Sequence, residues 1–248
     1  MSEQPVGVNS ATAKTLGTKV TPAKATKGGG MVRPDFSQYV IHFTTSRKPC
    51  SAKVNDATER GKVIVGGTAY DRLVSILQGG EVWATPMPWT NKPAVCFTEC
   101  TWASLLDHAS RYSPFGIGFS KAFLFSREGG PAIYLRQDLF EAQVANRGFH
   151  DNVMAFITPF RPFYAPVAYR NRYYGTKKPV DYTHEREWRV PHDLAFRTTQ
   201  VEFVIVDTYE DMAKFPKDIK DAIGRKKFII MDEYRKVEQF WPTHRVAE

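Results

Sequence analysis

The stretch Asp181-Tyr182-Thr183-His184-Glu185-Arg186-Glu187-Trp188-Arg189-Val190-Pro191 decides how the rest of the chain is interpreted. Side chains alternate between the two faces of a strand, so Glu185, Glu187 and Arg189 are predicted on one face and Arg186 and Trp188 on the other. This pattern has two interpretations. It is typical of an exposed edge strand with ion pairs across it, and also of a strand that presents a charged site beside an aromatic anchor.

The composition predicts a globular protein with acidic partners. The 248 residues are 42% hydrophobic and carry a formal net charge of +8, which favours nucleic acid or phosphorylated ligands. Three cysteines, Cys50, Cys96 and Cys100, and the lack of a secretory leader favour a reducing, cytoplasmic location. No uncharged apolar run reaches the roughly 18 residues of a spanning helix, so no membrane partner is expected.

The chain divides into two parts. Residues 1–36 are rich in Ser, Thr, Ala, Gly, Pro and Lys and are predicted to form a disordered basic tail. Residues 37–248 are predicted to form one domain. Its main expected elements are strands at Tyr39–Thr45, Glu81–Thr85, Ala94–Thr98, Ala132–Leu135, Val201–Val206 and Lys227–Met231, a glycine-containing strand within Tyr112–Lys121, and helices at Ala69–Gln78, Thr101–Tyr112, Asp138–Ala145 and Tyr209–Ile223. Strands and helices follow no regular βαβ period, which indicates the α+β class.

A basic aromatic loop is predicted from Thr158 to Lys178, directly before the glutamate-rich strand. It contains arginines and tyrosines and no acidic residue, a combination that suits single-stranded bases and phosphates. The residues expected to bind the acceptor are Arg161, Tyr164, Arg170, Arg172 and Tyr173. A surface loop whose tyrosines pack on the core remains the alternative.

Three motifs occur in a fixed order: His42-Phe43-Thr44 on an early strand, Tyr112-Ser113-Pro114-Phe115-Gly116-Ile117-Gly118-Phe119 in the middle, and Glu185-Arg186-Glu187-Trp188-Arg189 late. This order resembles the ADP-ribosyltransferase-like fold. The nearest resemblance is to bacterial abortive-infection proteins of the AbiGi type and to DarT-like proteins, and it covers roughly residues 38–235. It implies a split, mixed β-sheet with flanking helices.

The resemblance also implies an activity, cleavage of NAD at the nicotinamide ribose bond with transfer of ADP-ribose to a macromolecular acceptor. Glu187 resembles the catalytic glutamate, because it directly precedes Trp-Arg, and Glu185 is expected to orient or deprotonate the acceptor. Six further residues are expected at the NAD site. His42 would donate to a ribose hydroxyl or a diphosphate oxygen, with Thr44 as a supporting hydrogen bond. Tyr112, Phe115 and Phe119 would stack on nicotinamide, and Ser113 would support the glutamate. The implied role is in phage defence or as a toxin, with a nucleic-acid acceptor and an antitoxin or toxin partner.

Two other functions remain open. One is a non-catalytic, antitoxin-like binding module on the same fold, and the other is a plain nucleic-acid binder that uses the basic loop. A strand histidine such as His42 is also compatible with a purely structural role. The cysteines and histidines have no metal-ligand spacing, and no phosphate-binding or dinucleotide motif follows a strand, so neither a metal nor a redox cofactor is expected.

Overall fold

Alternating aromatic and β-branched residues form the first strand, β1 (Tyr39–Phe43), close to its predicted position. The computed structural model describes residues 37–46, 67–99, 105–146, 148–160 and 183–240. The other strands are β2 (Glu81–Val82), β3 (Thr85–Pro86), β4 (Pro93–Thr98), β5 (Gly116–Ser120), β6 (Gly130–Pro131), β7 (Ile133–Arg136), β8 (Ile157–Phe160), β9 (Glu187–Val190), β10 (Leu194–Ala195), β11 (Phe203–Val206) and β12 (Phe228–Ile230). The α-helices in these ranges are α1 (Ala69–Gly79), α2 (Leu105–Arg111), α3 (Lys121–Ser126), α4 (Gln137–Asn146), α5 (Asp151–Met154), α6 (Tyr209–Lys214), α7 (Lys217–Ile223) and α8 (Met231–Phe240).

The strands confirm the α+β class and build one large mixed sheet. Its order is β12-β11-β5-β1-β4-β9-β6, with β3 paired to β4 as the eighth strand. The β11–β12 pair is parallel and the other pairs are antiparallel. β1 therefore lies inside the sheet, between β5 and β4, and β9 is covered on its outer side by β6. Because β9 has a neighbour on each side, it is not the exposed edge strand of the first interpretation.

Apolar side chains cover both faces of this sheet. On one face, α1 packs through Leu73 and Leu77, and α7 packs through Ile219. On the other face, α2 and α8 contribute Leu105 and Met231 to a second cluster with Ile41 and Ile205. None of the helices in the described part of the chain is long and apolar enough to cross a membrane.

Capping residues set the bounds of helix α1, which ends one residue after the predicted range of Ala69–Gln78. The Thr68 hydroxyl accepts a hydrogen bond from the Asp71 amide, and the Asp71 carboxylate accepts one from the Thr68 amide, which is a capping box. At the other end Gly80 has φ of 65°, and a Cβ there would lie 2.9 Å from the Phe196 carbonyl oxygen. Only glycine suits both requirements, so α1 ends at Gly79.

The irregular helix predicted over Tyr209–Ile223 is two helices in the structure, α6 and α7. They are separated by Phe215 and Pro216. Phe215 has φ of −57° and ψ of 143°, which is extended backbone. The proline ring clashes with a helical conformation at the preceding residue, so the chain breaks there.

The glutamate-rich stretch enters a strand as predicted, but the strand begins only at Glu187 and does not include Glu185. Thr183–Glu185 forms a turn of 3-10 helix, and Arg186 has a positive φ of 45°. The basic aromatic loop is shorter than predicted, because Thr158 to Phe160 belong to strand β8. The rest of that loop, residues 161–178, and the tail, residues 1–36, lie outside the described residues.

Replacing Gly118 by alanine is expected to destabilise the fold by about 1–3 kcal/mol, the usual cost of overpacking a core. A Cβ at Gly118 would lie 2.4 Å from the Phe203 ring, on the neighbouring strand β11. The free energy of unfolding, from urea denaturation, measures this. Gly79→Ala is the matched control, because no atom lies within 4 Å of a Cβ there. Equal stability of both variants would contradict the close approach of Gly118 and Phe203.

Candidate active site

The carboxylate of Glu187 is held by Arg189, two residues further along β9. Arg189 Nε donates to Glu187 Oε1 at 2.9 Å, and Arg189 Nη2 donates to Glu187 Oε2 at 2.6 Å. Both side chains are buried, and Arg189 is 0% exposed. The prediction that they share one face of the strand is confirmed. A two-point contact of this kind fixes the plane of the carboxylate.

The rest of the Arg189 guanidinium is bound to the β8 region. Its Nη1 donates to the carbonyl oxygens of Ala155 and Ile157 at 3.0 and 3.1 Å, and its Nη2 donates to the Thr158 hydroxyl. Burial alone would lower the pKa of Arg189, but the hydrogen bonds and charge of Glu187 outweigh it, and the pKa is raised. Arg189 therefore remains charged and connects β9 to β8.

Glu185 is held by two contacts of its own. The Tyr112 hydroxyl donates to Glu185 Oε1 at 2.6 Å, and the Thr98 hydroxyl donates to the Glu185 carbonyl oxygen at 3.1 Å. Thr98 is also the register partner of Glu187 across the β4–β9 pair. Tyr112 is 38% exposed while Glu185 is buried, so Tyr112 lies where this group opens to solvent. The structure thus brings Tyr112, Glu185 and Glu187 to one region around Thr98.

Two further residues of this region were not identified from the sequence. Tyr134, on β7, has a raised pKa because it is partly buried and because the charge of Glu187 and then that of Glu185 act on it. The pKa of Cys96 is raised well above its usual value by burial and by the charge of Glu187, and its Sγ lies 3.6 Å from Met87 Sδ. Tyr134 and Cys96 therefore present a neutral hydroxyl and a neutral thiol near the glutamates. Their position depends on strand register, for which the sequence has no local signal.

His42 lies on the other face of the sheet from Glu187. Ile41, Thr98 and Glu187 are successive register partners across β1, β4 and β9, so their side chains share one face. His42 is the next residue along β1, and its ring contacts Phe97 at 5.8 Å between centroids. Phe97 belongs to the opposite core cluster. His42 and Glu187 therefore lie on opposite faces of the sheet.

The hydrogen bond of His42 also determines what its ring can bind. Nδ1 lies 2.9 Å from the Cys96 carbonyl oxygen, which can only accept. Burial lowers the pKa of His42, so the ring is neutral and its one proton is on Nδ1. Nε2 then carries a lone pair and accepts hydrogen bonds. His42 can accept from a hydroxyl, but it cannot donate to a diphosphate oxygen as the sequence analysis expected.

Hydrogen bonds connect Thr44, Ser113 and Phe115, which are also expected to bind NAD. The Thr44 hydroxyl donates to the Ala69 carbonyl oxygen at 2.7 Å, and the Ser113 hydroxyl donates to the Thr44 carbonyl oxygen at 2.5 Å. The Thr44 amide donates to the Phe115 carbonyl oxygen at 2.9 Å. These contacts join the ends of β1 and α1 to the loop before β5. Phe119 is 0% exposed and lies in the core, so it cannot stack on a ligand.

The expected acceptor residues, Arg161, Tyr164, Arg170, Arg172 and Tyr173, lie outside the described residues. The excess of positive charge in the sequence lies outside the described residues. The described residues contain 17 Lys and Arg and 20 Asp and Glu, a net charge of −3 within the +8 of the whole chain. No group of three or more His, Cys, Asp or Glu suited to a metal ion occurs in the ranges that the structure describes.

Comparison with models of protein families, with curated proteins and with solved structures gives no match.

Replacing Glu187 by glutamine is expected to lower the free energy of unfolding by about 3 kcal/mol, because it leaves the buried Arg189 charge without its partner. The exposed Glu210, replaced by glutamine, is the matched control and should change stability by less than about 0.5 kcal/mol. Chemical denaturation of both variants measures the difference. If Glu187→Gln is as stable as Glu210→Gln, the buried ion pair is not a main contact of the fold.

Stability is expected to fall in acid partly through His42. The pKa of His42 in the folded protein lies below the ordinary 6.5, so the unfolded chain binds a proton more readily than the folded protein does. The contribution of His42 to the free energy of unfolding is therefore complete above about pH 6.5 and is lost as the pH falls. Unfolding free energies at about pH 7.5 and pH 5.5 should therefore differ more in the wild type than in His42→Asn, whose amide does not titrate. The exposed His192, replaced by asparagine, serves as the control and should behave like the wild type. An equal pH dependence of wild type and His42→Asn would contradict the lowered pKa.

Proposed function

We propose that this protein cleaves NAD at the nicotinamide ribose bond and transfers ADP-ribose to a macromolecular acceptor. The observation that carries the proposal is the pair of buried glutamates, Glu185 and Glu187, on one side of the sheet, each oriented by its own donor. An ADP-ribosyltransferase-like fold is part of the proposal. It is supported by the mixed sheet and by the short pairing of β1 with β4. These two strands have one registered pair, Ile41–Thr98, as expected where a sheet is split.

Glu187 is assigned the role of stabilising the ribose as the glycosidic bond breaks. That bond leaves its electron pair on nicotinamide, and positive charge develops on the ribose ring. A carboxylate has about four lone-pair sites, of which Arg189 occupies two. The remaining sites can accept a hydrogen bond from the ribose 2-hydroxyl, and this bond strengthens as the positive charge grows.

Glu185 is assigned the role of the acceptor's base. In the transfer step the acceptor's nucleophile forms a bond to the ribose carbon that nicotinamide leaves, and the proton of that nucleophile passes to the Glu185 carboxylate. The Oε1 oxygen of this carboxylate accepts the hydroxyl of Tyr112. Because Tyr112 is neutral, its hydrogen bond orients Glu185 without adding a compensating charge. Arg189 compensates the charge of Glu187.

The proposed acceptor is nucleic acid, bound by the basic aromatic loop. This assignment depends on the sequence, since the excess of positive charge lies outside the described residues. We further propose a cytoplasmic role in phage defence or as a toxin, with an antitoxin or toxin as protein partner, on the strength of the resemblance in motif order.

One observation favours a second function, a non-catalytic binding module. Arg189 is fully buried and contacts Glu187, two carbonyl oxygens and the Thr158 hydroxyl, which is the environment of a structural ion pair. Thr44 and Ser113 are likewise engaged in contacts within the protein. On this alternative the same residues maintain a surface that recognises a nucleotide, a nucleic acid or a partner protein.

Replacing Glu185 by glutamine separates these functions. The amide keeps an oxygen that accepts from Tyr112, and it removes the charge that the transfer needs. Release of labelled nicotinamide from NAD, measured with cell lysate and with single-stranded oligonucleotides as acceptors, is expected to fall by at least roughly 100-fold, as for loss of a general base. The Glu210→Gln control should match the wild type, because this side chain is exposed on α6.

If the wild type releases no nicotinamide with any acceptor, the enzyme proposal fails. Calorimetric titration with NAD then distinguishes between the remaining, non-catalytic functions. Saturable binding without turnover supports a non-catalytic module that recognises a nucleotide. The absence of NAD binding leaves a protein that recognises nucleic acid or a partner protein. If Glu185→Gln releases nicotinamide and transfers label at the wild-type rate, Glu185 is not the base.

A further inference from the structure

The two candidate glutamates are separated by a strained residue. Arg186 has φ of 45°, a left-handed conformation that is disfavoured for every residue with a Cβ. Its amide donates to the Thr183 carbonyl oxygen at 3.2 Å, which closes the 3-10 turn. The chain therefore leaves the β4–β9 ladder at Arg186. Strain of this kind persists only where the surroundings hold it.

The last residue of β4, Thr98, and the residue after it, Glu99, hold this turn. The Thr98 hydroxyl donates to the Glu185 carbonyl oxygen at 3.1 Å, and the Glu99 amide donates to the Arg186 carbonyl oxygen at 3.3 Å. The Glu99 carboxylate also approaches the Arg186 guanidinium, with 3.6 Å between Oε1 and Nη1. Thr98 and Glu99 thus contact the two peptide groups that determine the direction of Glu185 relative to Glu187.

The Glu99 carboxylate is itself fixed by parts of the chain that are distant in sequence. Its Oε2 lies 2.7 Å from Lys121 Nζ, at the start of α3, and its Oε1 accepts the Ser37 amide at 3.1 Å. Glu99 and Lys121 are both buried, and Lys121 Nζ lies 5.4 Å from the centre of the Trp188 ring. A carboxylate held by both of these partners has one position, so it can transmit that position to Arg186.

We propose that Glu99 is a positioning residue, which holds Arg186 in its left-handed conformation and so directs the Glu185 carboxylate to Tyr112 at the candidate site. Glu99 acts through the backbone of the turn and does not touch the reacting groups. The link to catalysis depends on the proposed function, while the geometric claim is independent of it.

The test uses a probe of the Tyr112–Glu185 contact in the full-length protein. Tyr112 is replaced by 3-fluorotyrosine, and the fluorine resonance is recorded with glutamate at position 185 and in Glu185→Ala, which defines the signal of the lost hydrogen bond. Glu99→Gln is expected to move the resonance toward the Glu185→Ala position, and Glu210→Gln is expected to leave it unchanged. If Glu99→Gln does not fold because Lys121 loses its partner, the double variant Glu99→Gln/Lys121→Met removes the unpaired buried charge and takes its place.

A rescue separates positioning from general loss of packing. Adding Arg186→Gly to Glu99→Gln supplies a residue that prefers positive φ, so the turn no longer depends on Glu99. We expect the resonance to return toward its wild-type position. A resonance that Glu99→Gln leaves unchanged, or that Arg186→Gly does not restore, overturns the proposal.

Activity gives a second measurement. For a wild type that releases nicotinamide, Glu99→Gln should lower kcat by roughly tenfold or more and change KM by less than about twofold, because the carboxylates are misplaced while the NAD contacts remain. An unchanged kcat contradicts the positioning role. If the wild type releases no nicotinamide, the proposed function fails, and the fluorine resonance alone decides whether Glu99 positions the turn.

Discussion

The buried ion pair of Glu187 and Arg189 is the contact on which the arrangement of the site depends. Removing two charges from water costs several kcal/mol for each ion, and only close pairing with further hydrogen bonds offsets it. Arg189 meets that condition through both oxygens of Glu187 and through Ala155, Ile157 and Thr158. Since β8 pairs with β7, the same guanidinium joins the small β7–β8 sheet to the large one. Tyr134 reaches the glutamates through this connection.

The pleat of the central strands divides the candidate residues into two groups. Glu187, Thr98 and Cys96 share a face with Phe43, whose ring is nearly parallel to that of Tyr112, with 6.2 Å between the centroids. His42 and its neighbour Phe97 belong to the other face. A ligand that contacts both groups would have to pass the short β1–β4 pairing. A site formed by the two glutamates with Tyr112 and Tyr134 therefore needs no residue from the face of His42.

The excess of positive charge in this sequence lies outside the described residues. The described residues have a net charge of −3, whereas the whole chain has +8. A nucleic acid would be attracted by the segments that supply the difference and not by the described residues. A small ligand at the glutamates would instead meet two carboxylates, and Arg189 compensates the charge of Glu187.

The sequence by itself determined the elements whose signals are local. Alternation specified β1 and β4, and a capping box with Gly80 specified α1. It also brought Glu187 and Arg189 to one face, because residues two apart on a strand always share a face. The break of the predicted helix at Pro216 was likewise a local signal, but helical periodicity on both sides of it concealed the break.

Tertiary structure alone decided which residues meet at the site. Tyr134 and Cys96 join the glutamates, and His42 is directed away from them, because the register of β1, β4 and β9 selects neighbours that are far apart in sequence. The position of Glu185 depends on the left-handed Arg186, which contacts with Glu99 and Thr183 stabilise. Propensity disfavours that conformation, so no local pattern could have predicted it.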